Sequence, residues 1–150
     1  MVTALNIANN ILHRSFEDNI EITPMKLQRL IYLTYKEFYK QTDTLLFEDK
    51  FEVWKYGPVI RNVNTAFKKY GSNSIKDYYR EYDGAALEAS ERKSPILKSV
   101  INTVWNKYKS VDGVPLANMS RSKKSAWYQA YNRKEPFLSE ADIKNEEDYL

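Results

Sequence analysis

The side chains that most often carry catalysis are scarce in this sequence. Its 150 residues include one histidine, His13, and no cysteine. A chain without cysteine forms no disulfide, binds no metal through thiolates and has no thiol nucleophile. Zinc would have to be bound mostly by carboxylates, which it rarely accepts, and the isolated glycines form no phosphate-binding loop. We therefore expect no catalytic residue, no metal site, no cofactor and no enzymatic activity.

Carboxylates beside a lysine are the remaining candidates for metal-dependent chemistry. Glu48-Asp49-Lys50 and Asp142-Ile143-Lys144 each place an acid two residues before a lysine, as a magnesium-dependent nuclease could require. The first segment is predicted to form a turn and the second to begin a helix, where acids are favoured for capping. Neither has a second acid on a neighbouring predicted strand, so capping is the simpler interpretation of both.

A basic segment with interleaved aromatic side chains extends from residue 98 to residue 134. Asp112 is its only acid before the acidic C-terminal end. Such a pattern could provide phosphate contacts and base stacking, with Arg121, Lys123 and Lys124 as candidate nucleic-acid contacts. No recognition helix with its turn is apparent, and a solvated helical face explains the same pattern.

Charge is distributed unevenly along the chain. The formal net charge is +3, yet acids dominate residues 135–150 and bases dominate the preceding part. This asymmetry indicates either an acidic partner for the basic part or an acidic tail that folds back onto it.

The hydrophobic spacing predicts a mainly α-helical fold, a single compact helical domain over residues 1–150 with about five to seven helices. Capping residues and prolines locate the helix starts. The predicted starts are Thr3, Thr23-Pro24, Pro58, Ser94-Pro95, the region around Lys123 and Ser139. Gly71 is expected to end the third helix and Asp112-Gly113 the fourth.

A small β-hairpin is predicted near residues 46–56, with its turn at Glu48-Asp49-Lys50. Gly57-Pro58 is then interpreted as the junction between strand and helix, with Gly57 as the N-cap. Trp54 and Tyr56 are two residues apart and share one face of the strand. We expect that face to pack on the second or third helix.

Two cations stand near predicted helix starts, where the helix dipole disfavours them by about 0.3–1 kcal/mol. They are Lys26 and Arg61. An unfavourable cation at a helix start is expected where something else stabilises it. That is either a binding partner or an internal salt bridge, with Glu21, Asp49 or Glu52 as the acceptor.

Residues 72–93 have no clean hydrophobic period and are predicted to form a loop or a short strand. Three tyrosines interrupt this polar stretch, Tyr78, Tyr79 and Tyr82. Aromatic and arginine side chains dominate the energetics of protein interfaces. We therefore take these tyrosines, together with Arg61 and Lys55, as candidate partner-binding residues.

Several short motifs lie in a recognisable order along the chain. Thr23-Pro24-Met25-Lys26-Leu27 is followed by Trp54, then by Tyr56-Gly57-Pro58-Val59, and later by Tyr70-Gly71 and Trp127. Over about residues 4 to 150 the chain resembles the Panacea family, the SocA-like antitoxin and phage-associated domain. The signature residues are interpreted as structural: Pro24, Lys26, Leu27, Trp54, Tyr56, Gly57, Pro58 and Trp127. Met119-Ser120-Arg121 stands where the family often has a Thr-His pair.

The resemblance implies an antitoxin that neutralises the toxin of a two-gene pair by direct protein contact, often on a prophage or mobile element. The expected partner is thus a cognate toxin. The alternatives are an adaptor that delivers the toxin to a Clp-type protease, and a phage regulator that binds nucleic acid through residues 98–134. The chain shows no signal peptide and no apolar run of roughly 18 residues, so we expect a cytoplasmic protein with no membrane partner.

Overall fold

The computed structural model describes residues 2–150, and in this range the chain is mainly α-helical, as predicted. The helices are α1 (Ala4–Asp18), α2 (Pro24–Thr42), α3 (Arg61–Phe67), α4 (Pro95–Tyr108), α5 (Gly113–Ser120), α6 (Ala126–Asn132) and α7 (Glu140–Asn145). Strands β1 (Glu52–Trp54) and β2 (Gly57–Val59) form an antiparallel hairpin, and a short 3-10 helix (Lys68–Tyr70) follows α3.

Local capping explains where most helices begin. In each case a hydroxyl oxygen accepts a hydrogen bond from a backbone N–H of the first turn. The capping residues are Thr3 for α1, Thr23 for α2, Ser94 for α4, Ser125 for α6 and Ser139 for α7. The starts predicted at Thr3, Thr23, Ser94 and Ser139 are therefore confirmed.

Helix α2 lies at the centre of the core and packs against α1, α3, α4, α5 and α7. Leu27, Leu30, Ile31 and Tyr32 on this helix are almost fully buried. The wide apolar stripe of α2 gives it several buried faces, so neighbouring helices cover it from more than one side.

The hairpin lies further along the chain than predicted, and its turn is at Lys55-Tyr56 rather than at Glu48-Asp49-Lys50. Trp54 pairs with Gly57, and Gly57 has a φ of 125°. A glycine tolerates this angle at a tight hairpin turn. The apolar alternation upstream instead reflects an irregular segment that buries Phe47 and Phe51 against Tyr35.

The third helix begins at Arg61, not at Pro58, because Pro58 belongs to β2. Gly57 is therefore not its N-cap. The residue at that position is Ile60, whose side chain offers no cap. The side chain of Gln28 in α2 provides the missing cap. The amide oxygen of Gln28 accepts from the Ile60 N–H, and the amide nitrogen of Gln28 donates to the Ile60 carbonyl, both at 3.1 Å.

The region after α4 contains one helix that the prediction missed. Helix α4 ends at Tyr108, and Asp112-Gly113, predicted to end it, stands at the start of α5. Helix α5 is eight residues long and buries Leu116, Ala117 and Ser120. So short an apolar pattern is difficult to recognise as a separate helix.

Residues 72–93 form an irregular loop, which confirms the first of the two predicted alternatives, a loop or a short strand. Two buried asparagines of α1 hold this loop. The side-chain amide of Asn9 accepts from the N–H of Tyr79 and donates to its carbonyl, both at 2.9 Å. Asn10 makes the same pair of bonds to Ala89, at 2.8 and 3.0 Å.

The acidic tail folds back onto the basic part of the chain, in agreement with the second interpretation of the charge asymmetry. Lys36 of α2 and Glu146 form a salt bridge of 2.8 Å, with side chains only 1% and 4% exposed. The other carboxylate oxygen of Glu146 accepts from the N–H of Ala126, the first residue of α6, at 2.8 Å. Over residues 2–150, no helix combines the length and apolarity that crossing a membrane requires.

Candidate functional site

An apolar groove lies between the hairpin, the start of α2 and α3. Its volume is about 430 Å³, within the range of about 300–1,000 Å³ typical of binding pockets. The side chains of Val59, Val63 and Phe67 are buried beneath it. Several signature residues also line this groove, namely Pro24, Trp54 and Tyr56.

Arg29 of α2 also lines the groove and is among the largest fully buried side chains of the core, with 1% exposure. Its Nη1 donates to the carbonyl of Tyr56 at 3.3 Å and to the hydroxyl of Ser120 at 3.2 Å. Its Nη2 donates to the carbonyl of Pro58, while Nε has no partner within the described chain. Arg29 thus joins the hairpin to α2 and α5.

The Tyr-Gly-Pro sequence fits around this arginine. A Cβ added to Gly57 would overlap the Nη1 atom of Arg29 and would lie 2.5 Å from the hydroxyl oxygen of Ser120. Gly57 is therefore required both for its backbone angle and for the close approach of the guanidinium. Arg29 was not among the residues predicted for the site, although a charged residue between Leu27 and Leu30 of α2 was the available signal.

The charge of Arg29 is not balanced by an acid. Burial lowers the pKa of Arg29 to about 10, so the guanidinium remains protonated at neutral pH. Within residues 2–150 no carboxylate forms a salt bridge with it, and none of the described groove residues is acidic. Two exposed lysines, Lys55 and Lys68, also line the groove. The site is apolar and carries positive charge.

Lys26 is buried and its Nζ donates to the carbonyl of Lys109 just after α4. The salt bridge expected with Glu21, Asp49 or Glu52 is therefore wrong for Lys26, whereas Arg61 does form it, with Glu52. Desolvation lowers the pKa of Lys26, and the nearby charge of Asp112 opposes that shift. Leu27, the next signature residue, is fully buried in the core.

The aromatic signature residues differ in exposure. Trp54 is half-buried, and its carbonyl accepts from the indole N–H of Trp127 at 2.8 Å. Tyr56 is 53% exposed, so the predicted packing of a shared Trp54–Tyr56 face on α2 or α3 is wrong. The reason is that Tyr56 occupies the turn of the hairpin, where the alternation of the strand no longer applies.

Arg61 forms an internal salt bridge at the hairpin. Its guanidinium binds both carboxylate oxygens of Glu52, at 2.7 and 3.0 Å, and lies 5.4 Å from the centre of the Trp54 ring. The hydrogen bond from Arg61 lowers the pKa of Glu52. The Arg61 side chain is nevertheless 66% exposed, which leaves most of it accessible.

The three candidate tyrosines of the loop occupy different environments. Tyr78 packs edge-on against Phe16 with ring centres 5.0 Å apart. Tyr79 is half-buried where Asn9 binds its backbone. Tyr82 is fully exposed near the tip of the loop, so it is the member of this set whose whole side chain is accessible.

Acids of the C-terminal end partly neutralise the basic segment. Lys107 lies 3.7 Å from a carboxylate oxygen of Asp148, and Arg133 forms salt bridges with Glu135 and Asp142. Of the candidate nucleic-acid contacts, Arg121 donates to Ala117 and Asn118, whereas Lys123 and Lys124 are exposed.

His13 lies between Glu88 and Glu17, at 3.0 and 3.2 Å. Its hydrogen bond with Glu88 is the main cause of a raised pKa. In the part of the chain that the structure describes, no group of three or more His, Cys, Asp or Glu residues could hold a metal ion.

The fold and this site define a mainly α-helical domain whose signature motifs surround an apolar groove and a buried arginine. A family model described as "Antitoxin SocA-like, Panacea domain" matches residues 27–128. The chain belongs to this SocA-like antitoxin family, as the resemblance indicated. The match is shorter than the resemblance over about residues 4 to 150, and it begins after Pro24 and Lys26. No curated protein and no solved structure matches the chain significantly.

Proposed function

We propose that this chain is a cytoplasmic antitoxin that neutralises a cognate toxin by direct protein–protein binding, and that it acts by binding rather than by catalysis. Membership of the SocA-like antitoxin family over residues 27–128 is the observation that supports this function. We further propose that the gene pair resides on a prophage or another mobile element.

Exposed aromatic side chains beside the hairpin support a protein-binding surface there. Tyr56 is 53% exposed, and Tyr131 is 58% exposed. Tyr131 stacks on Trp127, with ring centres 5.0 Å apart and planes 10° from parallel. Trp127 in turn donates to the carbonyl of Trp54. Tyrosine and tryptophan are enriched at protein interfaces because they bury a large area with few rotatable bonds.

Accessible cations adjoin this hairpin surface. Lys55 is at the hairpin turn, and its Nζ lies 5.5 Å from the centre of the Tyr56 ring. Arg61 presents most of its side chain beside Trp54. We assign Lys55 and Arg61 to toxin contact, with Tyr82 as a second anchor on the loop. Tyr78 and Tyr79 support the position of that loop.

Co-expression with the adjacent gene tests the proposed function. We expect the product of that gene to arrest growth when expressed alone, and this chain to restore growth and to co-purify with it as a complex. A neighbouring product that is harmless alone, or one that stays toxic although this chain is present, would contradict the proposal.

The same cells distinguish the alternative mechanisms. A toxin half-life that shortens only when a Clp-type protease is present would assign the adaptor mechanism. Salt-sensitive binding to the promoter of the pair that weakens in a Lys123→Ala/Lys124→Ala variant would assign nucleic-acid binding. Direct neutralisation predicts a stable complex without either effect.

A further inference from the structure

The groove beside the hairpin has no occupant within residues 2–150, although its lining is largely apolar. Trp54 and Met25 are half-buried at its sides, and Val63 and Phe67 are buried beneath them. A second hollow adjoins it, since Met25 lines both; this one is lined by Thr23 and the exposed Val114 and also by the acids Glu21 and Asp112. An apolar groove of this volume is typical of binding sites in proteins.

Three cations line the groove, and none of its described residues is acidic. Arg29 is almost fully buried, and within the described chain it donates only to carbonyl and hydroxyl oxygens. Lys55 and Lys68 are exposed, and neither forms a salt bridge with a described carboxylate. A buried charge without an opposite charge retains much of its field because the surrounding protein screens it weakly.

The start of α2 adds positive potential on the same side. Pro24 and Met25 of its first turn line the groove, and that turn contains no acidic side chain. Asp112 lies near Lys26 of this turn and offsets part of the positive end of the helix dipole, but it does not line the groove itself. The guanidinium of Arg29 and the ammonium groups of Lys55 and Lys68 favour a negative charge at the groove.

We infer that the groove binds a segment of the toxin in which an Asp or Glu adjoins an aliphatic or aromatic side chain. The apolar side chain would lie against Val63 and Phe67, and the carboxylate would lie near Lys55 and Lys68 above the buried Arg29. This inference rests on the proposed function, because it names the part of the toxin that the site accepts.

A protein segment fits this site better than a free anion does. Phosphate is bound by several donors that point at it together. The terminal nitrogens of Arg29 already donate to Tyr56, Ser120 and Pro58, so they are not free to form such a cluster. The apolar lining also gives a small anion nothing to bury, whereas it provides contacts for a hydrophobic side chain.

The test measures the dissociation constant of the full chain and the toxin encoded by the adjacent gene, by isothermal titration calorimetry. A Lys55→Glu/Lys68→Glu variant should weaken binding by about tenfold or more, since like charges would then face each other. The matched control is Arg92→Glu/Lys93→Glu, which makes the same charge change at exposed residues before α4 that line no part of the groove. We expect this control to bind within about threefold of the unmodified chain.

Asn64→Trp provides an independent test of the apolar part of the site. Asn64 is half-buried and lines the groove, so a tryptophan there should occupy the space that the toxin side chain needs and weaken binding. An Asp→Lys or Glu→Lys change in the toxin that restores binding to the Lys55→Glu/Lys68→Glu variant would identify the inserted carboxylate.

The outcomes separate this inference from the proposed function. If the unmodified chain binds the toxin and both groove variants bind equally well, the groove is not the contact site and the inference is wrong, while the antitoxin function stands. If groove and control variants weaken binding to the same extent, the effect reflects net charge and the inference is also wrong. If the unmodified chain neither binds nor neutralises the toxin, the proposed function fails and the inference fails with it.

Discussion

The guanidinium of Arg29 lies directly against the α-carbon of Gly57. It donates to the carbonyls on both sides of that glycine, those of Tyr56 and Pro58, and an added Cβ would overlap its Nη1 atom. A buried arginine of a central helix therefore determines the shape of the hairpin turn. The Tyr56-Gly57-Pro58 motif provides two carbonyl acceptors for this arginine, and its glycine leaves room for the guanidinium.

Gly57→Ala should destabilise the protein strongly. The φ of 125° costs a side-chain-bearing residue about 1–2 kcal/mol, and displacement of the guanidinium adds about 1–3 kcal/mol. Gly84→Ala is the matched control, because Gly84 has a φ of 90° but no heavy atom within 4 Å of its added Cβ. The Gly84→Ala variant should therefore lose only the backbone contribution of about 1–2 kcal/mol. Urea denaturation of both variants measures the difference, and equal losses of stability would show that contact with Arg29 is unimportant.

Glu146→Gln should destabilise the protein by about 3–5 kcal/mol, because it leaves the ammonium of Lys36 buried without an opposite charge. The matched control is Lys76→Gln, which removes the salt bridge between Lys76 and Glu21. Their side chains are 68% and 70% exposed, so solvent screens the pair and the free energy of unfolding should change far less than in Glu146→Gln. Denaturant unfolding provides both values.

A second substitution checks the cause of the Glu146→Gln effect. Lys36→Met in the Glu146→Gln background removes the unpaired charge, while the introduced glutamine keeps an acceptor for the N–H of Ala126. The double variant should therefore recover part of the lost stability. No recovery would mean that the unpaired charge of Lys36 is not the cause of the lost stability.

Asn9→Ala should loosen the loop over residues 72–93 without unfolding the helices. It removes the acceptor of the Tyr79 N–H and the donor to the Tyr79 carbonyl, at a cost of about 1–3 kcal/mol. Hydrogen exchange should accelerate at the Tyr79 amide and its neighbours. Asn106→Ala on the exposed face of α4 is the control, and similar exchange in the two variants would contradict this role.

His13 should make stability depend on pH in a predictable direction. Its pKa in the folded protein is raised above the ordinary value of 6.5, chiefly by the hydrogen bond to Glu88. The folded state therefore binds the imidazole proton more tightly than the unfolded state does. The stabilisation is fully present below about pH 6.5 and is lost as pH rises through the raised pKa.

The His13 contribution should be no more than about 1 kcal/mol, because the side chain is half-exposed and solvent screens its charge. The measurement is the difference in unfolding free energy between the unmodified chain and His13→Gln at about pH 5.5 and about pH 8.5, on either side of the transition. The difference should be larger at the lower pH. A difference that grows as pH rises would contradict the assigned direction.

Features that depend on neighbouring residues could be predicted from the sequence. Thr3, Thr23 and Ser94 each cap a helix through a backbone group three residues away, and the mainly helical fold follows from such local patterns. The order of short motifs was also sufficient to identify the family. Both kinds of information are present in contiguous stretches of the chain.

The hairpin and the groove could not be predicted in this way, since they depend on distant residues. Arg29 meets Tyr56 and Ser120, which lie 27 and 91 positions away in the sequence. The turn is at Lys55-Tyr56 because this long-range contact favours it there. Docking of the tail depends likewise on Lys36 and Glu146, which are 110 positions apart. Short-range capping and hydrophobic periodicity thus specify the helices. The position of the hairpin and the shape of the groove depend instead on charged groups that are distant in sequence and buried together in one core.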